Sequence, residues 1–177
     1  MTNSKAAEQD QVVSEIEIAA PPERVFQALV EQEQLHVWWG AEPSVELSVF
    51  EMDPKVGGRW HFECTSRAGH THGEVGEQAR RRGASSFMAH GEILELERPW
   101  LLAYTWFANW HADDKRRTVV RWELEPTQGG TRVRVTHSGL AQEAVARKDY
   151  SGGWVGVLGL LRSYMEANSS RPSSFSS

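Results

Sequence analysis

Cysteine is all but missing from this chain. Cys64 is the only one in 177 residues, so no intramolecular disulfide can form. That excludes a disulfide-stapled secreted scaffold and makes a reducing cytoplasm the expected compartment. Long hydrophobic runs are missing too, since no stretch approaches the roughly 18 to 20 apolar residues of a membrane-spanning helix. Met1 to Gln11 has neither the apolar core nor the small-residue cleavage site of a secretory signal, and it is polar and aperiodic, so residues 1–11 are expected to be a disordered end. Nor is there an excess of positive charge. A formal net charge of -5 and a pI near 5.8 argue against a nucleic-acid partner, and the local run Arg80-Arg81-Arg82 reads as a solvated loop.

Signatures of catalysis are equally scarce. No Gly-x-Ser-x-Gly elbow, phosphate loop, His-Glu-x-x-His helix or cysteine pair occurs. His70-Thr71-His72 puts two rings on one side of an extended segment, but that spacing alone does not make a metal site, so neither a metal nor a cofactor is expected. Cys64 falls on the inward side of a strand pattern and reads as an inert buried thiol.

Tryptophan, by contrast, is abundant. Eight indoles supply large apolar area together with N–H groups that need partners, which suits a roomy aromatic interior. One stretch organises the rest: in Gly152 to Glu166, the residues Trp154, Val157, Leu158, Leu161, Tyr164 and Met165 recur at helical spacing and form a broad apolar stripe. On the opposite face Gly156 and Gly159 replace good helix formers at a cost of about 1 kcal/mol each. They point either to close backbone approach or to a thin wall beside a space. Leu140 to Lys148 forms a helical lead-in, with Ser151 a cap and Gly152-Gly153 a permitted kink.

Upstream, Val12 to Ala19 reads as a half-buried strand. Pro21-Pro22-Glu23 opens a short helix with Val25, Phe26, Leu29 and Val30 on its apolar face, and Gln32 to Trp38 gives a second. From Val45 to His137 the period is two. Val45, Leu47 and Val49 alternate, the turn Asp53 to Gly58 follows, and Trp60, Phe62 and Cys64 share the next face. Met88 to Glu97, Leu101 to Phe107, Thr118 to Glu125 and Thr131 to His137 complete an antiparallel meander. In the first of these, Ile93, Leu94 and Leu96 cannot share a face without a bulge. Thr65 to Ser86 is expected to be a long mobile loop or hairpin, and residues 168–177, rich in serine, a disordered tail. One domain, residues 12–167, is left.

An antiparallel sheet with one apolar face has to be covered, and the last helix is the only element long and apolar enough to do it. The fold class is therefore α+β, a curved sheet of about six to seven strands wrapped around a long C-terminal helix, with two short helices after the first strand. The residues Ile18 to Phe26, Trp38-Trp39, Val56 to Trp60, His90 to Leu96, Leu102 to Trp106, Gly130 to Gly139 and Gly153-Trp154, in that order, resemble the helix-grip domains of the START and birch-pollen-allergen (SRPBCC) superfamily. Within it they are most similar to the branch named after the activator of the ninety-kilodalton heat-shock chaperone's ATPase. The 65–86 insertion is longer than that family's pattern.

The resemblance implies a cavity between sheet and helix that holds lipids, sterols, polyketides or other apolar molecules. By strand parity its wall is expected to include Trp60, Phe62, Tyr104, Trp106, Trp122, Trp154 and Leu158, with Trp38 or Trp39 near an opening and Tyr104, His137 and His90 as polar groups. The competing arrangement has the rings filling the interior completely with their polar tips bonded to backbone. Three functions follow. The first is non-enzymatic carriage or sensing of a small hydrophobic molecule. The second is a cyclase or hydrolase in the same pocket, with Tyr104 and His137 or His90 as acid and base. The third is a cochaperone acting on the chaperone ATPase, against which stands the stretch of only about ten residues before the first strand, where the eukaryotic cochaperone has a separate domain. The sequence is compatible with a homodimer.

Overall fold

The computed structural model describes residues 2–169. Seven strands form one antiparallel sheet in the order β1-β7-β6-β5-β4-β3-β2, comprising β1 (Val12–Ile18), β2 (Val45–Met52), β3 (Arg59–Ser66), β4 (Phe87–Glu97), β5 (Leu101–Ala108), β6 (Thr118–Thr127) and β7 (Gly130–Ser138). The order is a meander closed by β1, which pairs with β7 in register from Val12 opposite His137 to Ile18 opposite Thr131. Helices α2 (Pro22–Val30) and α3 (Gln32–Trp39) follow β1, and α5 (Ala144–Ser169) ends the described chain. This is a helix-grip fold.

At about 1.5 Å per residue, the 26 residues of α5 are long enough to cross the whole sheet. Tyr150, Trp154, Leu158, Leu161 and Met165 are all buried, at spacings of four, four, three and four, so one stripe of the helix faces the core. The helix is continuous. Ser151 lies inside it and donates to the carbonyl of Lys148 (2.6 Å) rather than capping a new start, and no break is needed at Gly152-Gly153. Trp38 fixes α3 to α2 by donating from its indole to the carbonyl of Ala28 (2.7 Å).

Two irregularities set which side chains turn inward. The register of β4 on β5 shifts between Ile93 and Glu95, a bulge at Leu94 that lets Ile93 be buried while the following leucines are half-exposed. A second shift lies between Leu47 and Val49 in β2, so that Phe50 and Met52, not Val49, continue the inward side. Gly91 in β4 is required by crowding: a Cβ there would sit 1.8 Å from the carbonyl oxygen of Thr105.

Four expected features are different. Thr2–Asp10 is a helix, α1, whose end is tied down by the Leu140 amide donating to the Asp10 carbonyl (2.8 Å) and by Arg147 donating to the Gln9 carbonyl. The 65–86 segment contains a helix, α4 (Gly73–Arg81), with Val75, Gly76 and Ala79 buried at helical spacing. The arginine run is no free loop. Arg80 and Arg81 end α4 where cations favour the helix dipole, and Arg82 donates to the carbonyls of Asn109 and Ala112 and lies 3.8 Å from Asp114. Of the expected disordered tail, Asn168 and Ser169 belong to α5, and residues 170–177 lie outside the described residues.

Candidate functional site: a cavity beside the glycine face of the last helix

Beneath the core stripe of α5 the interior is filled. Trp106 is its centre, with ring centroids 4.9 Å from Trp60, 5.6 Å from Phe62, 5.6 Å from Trp154 and 5.5 Å from His137. Trp122 packs edge-on against Trp154 at 5.7 Å and donates its indole proton to the Tyr104 hydroxyl (2.9 Å). Trp60 donates to the Thr105 carbonyl (2.9 Å). Burial pushes the Tyr104 phenol well above its ordinary range, with the Trp122 bond opposing it only in part.

The hydrogen bonds fix the protonation of both buried histidines. Thr118 Oγ1 donates to the Trp106 carbonyl (2.7 Å), so it must accept from His137 Nε2–H (2.8 Å), and His137 Nδ1 accepts from the Trp154 indole (3.3 Å). His137 is thus neutral and fully partnered. Tyr150 receives the indole protons of Trp106 and Trp110 at 3.0 Å each, so its own proton goes to His111 Nε2 (2.7 Å). His111 then carries its proton on Nδ1, which is buried without a partner. Burial pulls His111 down to about 4, although the carboxylate of Glu143 opposes this, and holds His137 well below its ordinary value. Glu143 is itself buried, accepting from the amides of Ala112 (2.6 Å) and Asp113 (3.0 Å) and from Arg116 Nε (2.9 Å).

Open volume lies elsewhere, toward the β2–β3 edge. A cavity of about 320 Å³ is bounded by α5 through Gly152, Gly153, Gly156, Val157 and Leu160, by Trp39, and by Val45, Leu47 and Cys64 of the sheet. A smaller space of about 160 Å³ shares Trp39, Val45, Cys64, His72 and Asp149 with it and adds Phe62, Val75, Phe87 and Trp110. The α5 glycines do not mark close approach: a Cβ at Gly152, Gly153, Gly156 or Gly159 would meet nothing within 4 Å. Asp149, Gly152, Gly153, Gly156 and Leu160 form a second helical stripe, rotated away from the buried one. A wide groove between this stripe and the first turn of α4, lined by His72, Glu74, Lys148 and Asp149, leads to the outside.

The polar groups of the cavity are few. His72, edge-on to Phe87 at 4.8 Å, has a buried Nε2 with no hydrogen-bond partner. Burial raises Asp149 above the usual carboxylate range, with His72 pulling the other way. The Cys64 thiol is pushed up to about 11 by burial and by Glu63, so it is protonated at neutral pH and a poor nucleophile. Glu42 Oε1 accepts from the Ser44 amide (2.7 Å) and hydroxyl. Among the described residues, no group of three potential metal ligands is close enough to hold an ion.

Of the residues expected to contact a ligand, Trp39 and Phe62 line this open volume. Trp60, Tyr104, Trp106, Trp122, His137, Trp154 and Leu158 are buried in the filled part and line neither space. This corrects their assignment to a cavity under α5, because interlocked rings and mutual hydrogen bonds fill the interior there; Trp60 borders instead a separate groove with Arg59, His61 and Phe107. His90 is corrected as well: it is exposed and stacks on Phe107 (5.3 Å, 13°), since Ala89 and Ile93 take the inward positions of β4. Sequence reasoning missed His72, Asp149, Val45, Leu47 and Trp110. The signal that could have found the helix side of the cavity was the spacing of Gly152 and Gly156 behind the apolar stripe.

Residues 19–166 match the model of the family described as Activator of Hsp90 ATPase homolog 1-like protein. The chain belongs to this family. None of the curated proteins compared matches the sequence. Among solved structures, a protein of Chromobacterium violaceum superposes with a TM-score of 0.70 at 23% identity, covering 89% of this chain and 98% of that one. One from Mesorhizobium loti gives 0.65 at 25% identity, over 89% and 97%. The AHSA1-like protein from Aeromonas hydrophila gives 0.67 at 19%, over 90% and 94%. The long α5 clasped by the sheet is thus shared by AHSA1-like proteins whose sequences have diverged widely. Among the described residues, no helix is long and apolar enough to cross a membrane.

Proposed function

We propose that this AHSA1-like protein binds a small, mainly apolar molecule in the cavity between the glycine stripe of α5, the β2–β3 edge and α4. The observation that carries the reading is the empty space beside Gly152, Gly153 and Gly156 in a helix whose neighbouring stripe, Trp154, Leu158 and Leu161, is buried. Glycines in a helix interior cost about 1 kcal/mol each, and here no close backbone contact repays that cost. They do keep about 320 Å³ open against Trp39, Leu47 and Leu160, a size at the lower end of small-molecule sites. Binding without chemistry fits best. The Cys64 thiol is protonated, and Tyr104 and His137 are sealed in the packed interior.

The test is a substitution that fills the space without disturbing the core. Gly156→Leu places a side chain where a Cβ meets no atom and improves helix propensity, so the fold should be retained. Nile red, a neutral apolar dye, should brighten on the wild-type protein and lose most of that signal on the variant. Equal brightening on both would sink the proposal.

A further inference from the structure

The lining of the cavity says what kind of head group it suits, an inference that rests on the binding role proposed above. Two carboxylates, Glu42 and Asp149, border the larger space, and no lysine or arginine is among the described residues that line either space. The smaller space adds an aromatic wall in which Trp39, Phe62, Trp110 and Phe87 follow one another with centroid separations of 5.7, 6.1 and 5.9 Å. Asp149 borders both spaces, as does His72. Aromatic faces attract cations through their quadrupole, and a partly desolvated carboxylate is stabilised by a positive partner. An anionic ligand would meet two carboxylates with no lysine or arginine beside them, and His72 as the one basic side chain on the lining.

We infer that the ligand is a cationic amphiphile, an apolar body with an ammonium group. The ammonium lies in the aromatic space against Asp149, and the body lies along the glycine stripe of α5. His72 borders the same space and has a buried Nε2 with no hydrogen-bond partner. Lys148 stands only in the outer groove, where Glu74 and Asp149 outnumber it. Fatty acids and other anionic amphiphiles are disfavoured by the same charges.

Three probes with one tail and different heads separate the possibilities: octyltrimethylammonium, octanol and octyl sulfate, each titrated calorimetrically below its micelle concentration. The ammonium is expected to bind about tenfold tighter than octanol, and the sulfate more weakly than either. Asp149→Asn should remove most of the ammonium preference, and Phe87→Leu, which takes away one ring without touching charge, should reduce it. Octyl sulfate binding as tightly as the ammonium, or an undiminished preference in Asp149→Asn, would overturn the head-group assignment. In that case octanol binding that Gly156→Leu abolishes would leave the cavity itself standing. Failure of all three probes to bind overturns both readings.

Discussion

The two faces of α5 meet opposite fates. Over β5 to β7, Trp154 is 2% exposed and wedged among Trp106, Trp122 and His137; over β2 and β3, on another side of the same turn, Gly153 and Gly156 face space. The first region is held by large interlocked rings in which the indole protons of Trp106, Trp122 and Trp154 and the His137 proton each have an acceptor. The second is kept open by leaving side chains out. A single helix therefore both closes the core and borders the cavity, and the division follows from which residues sit on which stripe.

That contrast can be broken from the packed side first. Trp154→Ala should cost about 3–5 kcal/mol, because the ring has no cavity to retreat from; urea denaturation measures it, and a loss below about 1 kcal/mol would show that the interior is looser than its contacts indicate. Acid probes the same region. His111 and His137 are kept neutral when folded, while an unfolded histidine titrates near 6.5. As pH falls from about 6.5 toward about 4, the unfolded chain takes up protons that the folded chain refuses, so stability drops by about 1.4 kcal/mol per unit for each histidine. Urea midpoints across that window should slope accordingly and flatten in His111→Gln.

Tyr150→Phe is the next smaller change. It strips the shared acceptor from Trp106 and Trp110 and the donor from His111, and leaving buried groups unpaired costs about 1–3 kcal/mol. On the open face the sign reverses. Gly156→Ala should stabilise the protein by up to about 1 kcal/mol, since its Cβ meets no atom; a lowered melting temperature would mean that the space beside α5 is occupied.

Much of the architecture was written in local periodicity. Alternation in Trp60-Phe62-Cys64 and Val120-Trp122-Leu124 located strands because each side of a strand sees one environment, and the misfit of Ile93, Leu94 and Leu96 announced the β4 bulge. Helix α1 left no such trace: its residues carry no apolar stripe, and it is held by bonds from Leu140 and Arg147, far along the chain. Helix α4 was hidden by Gly73 and Gly76, which weaken a helical pattern whose support comes from burying Val75 and Ala79. The position of the cavity was the hardest to read. Inward parity correctly gathers Trp60, Tyr104, Trp106 and Trp122 on one side, but parity cannot tell rings that interlock from rings that border a void. That depends on how far Trp154 and Tyr150 reach across from α5, which is a tertiary fact. His72 and Asp149 meet at the cavity only because α4 lies across α5, a contact between residues 77 positions apart.

The anchoring of α4 is lopsided. Arg82 bolts its C-terminal end to the loop after β5, whereas His72 at the other end touches Phe87 by ring contact alone and keeps an unspent nitrogen. The end of α4 that borders the gap beside Asp149 is therefore the less firmly tied of the two, and the end against the loop after β5 the more firmly tied.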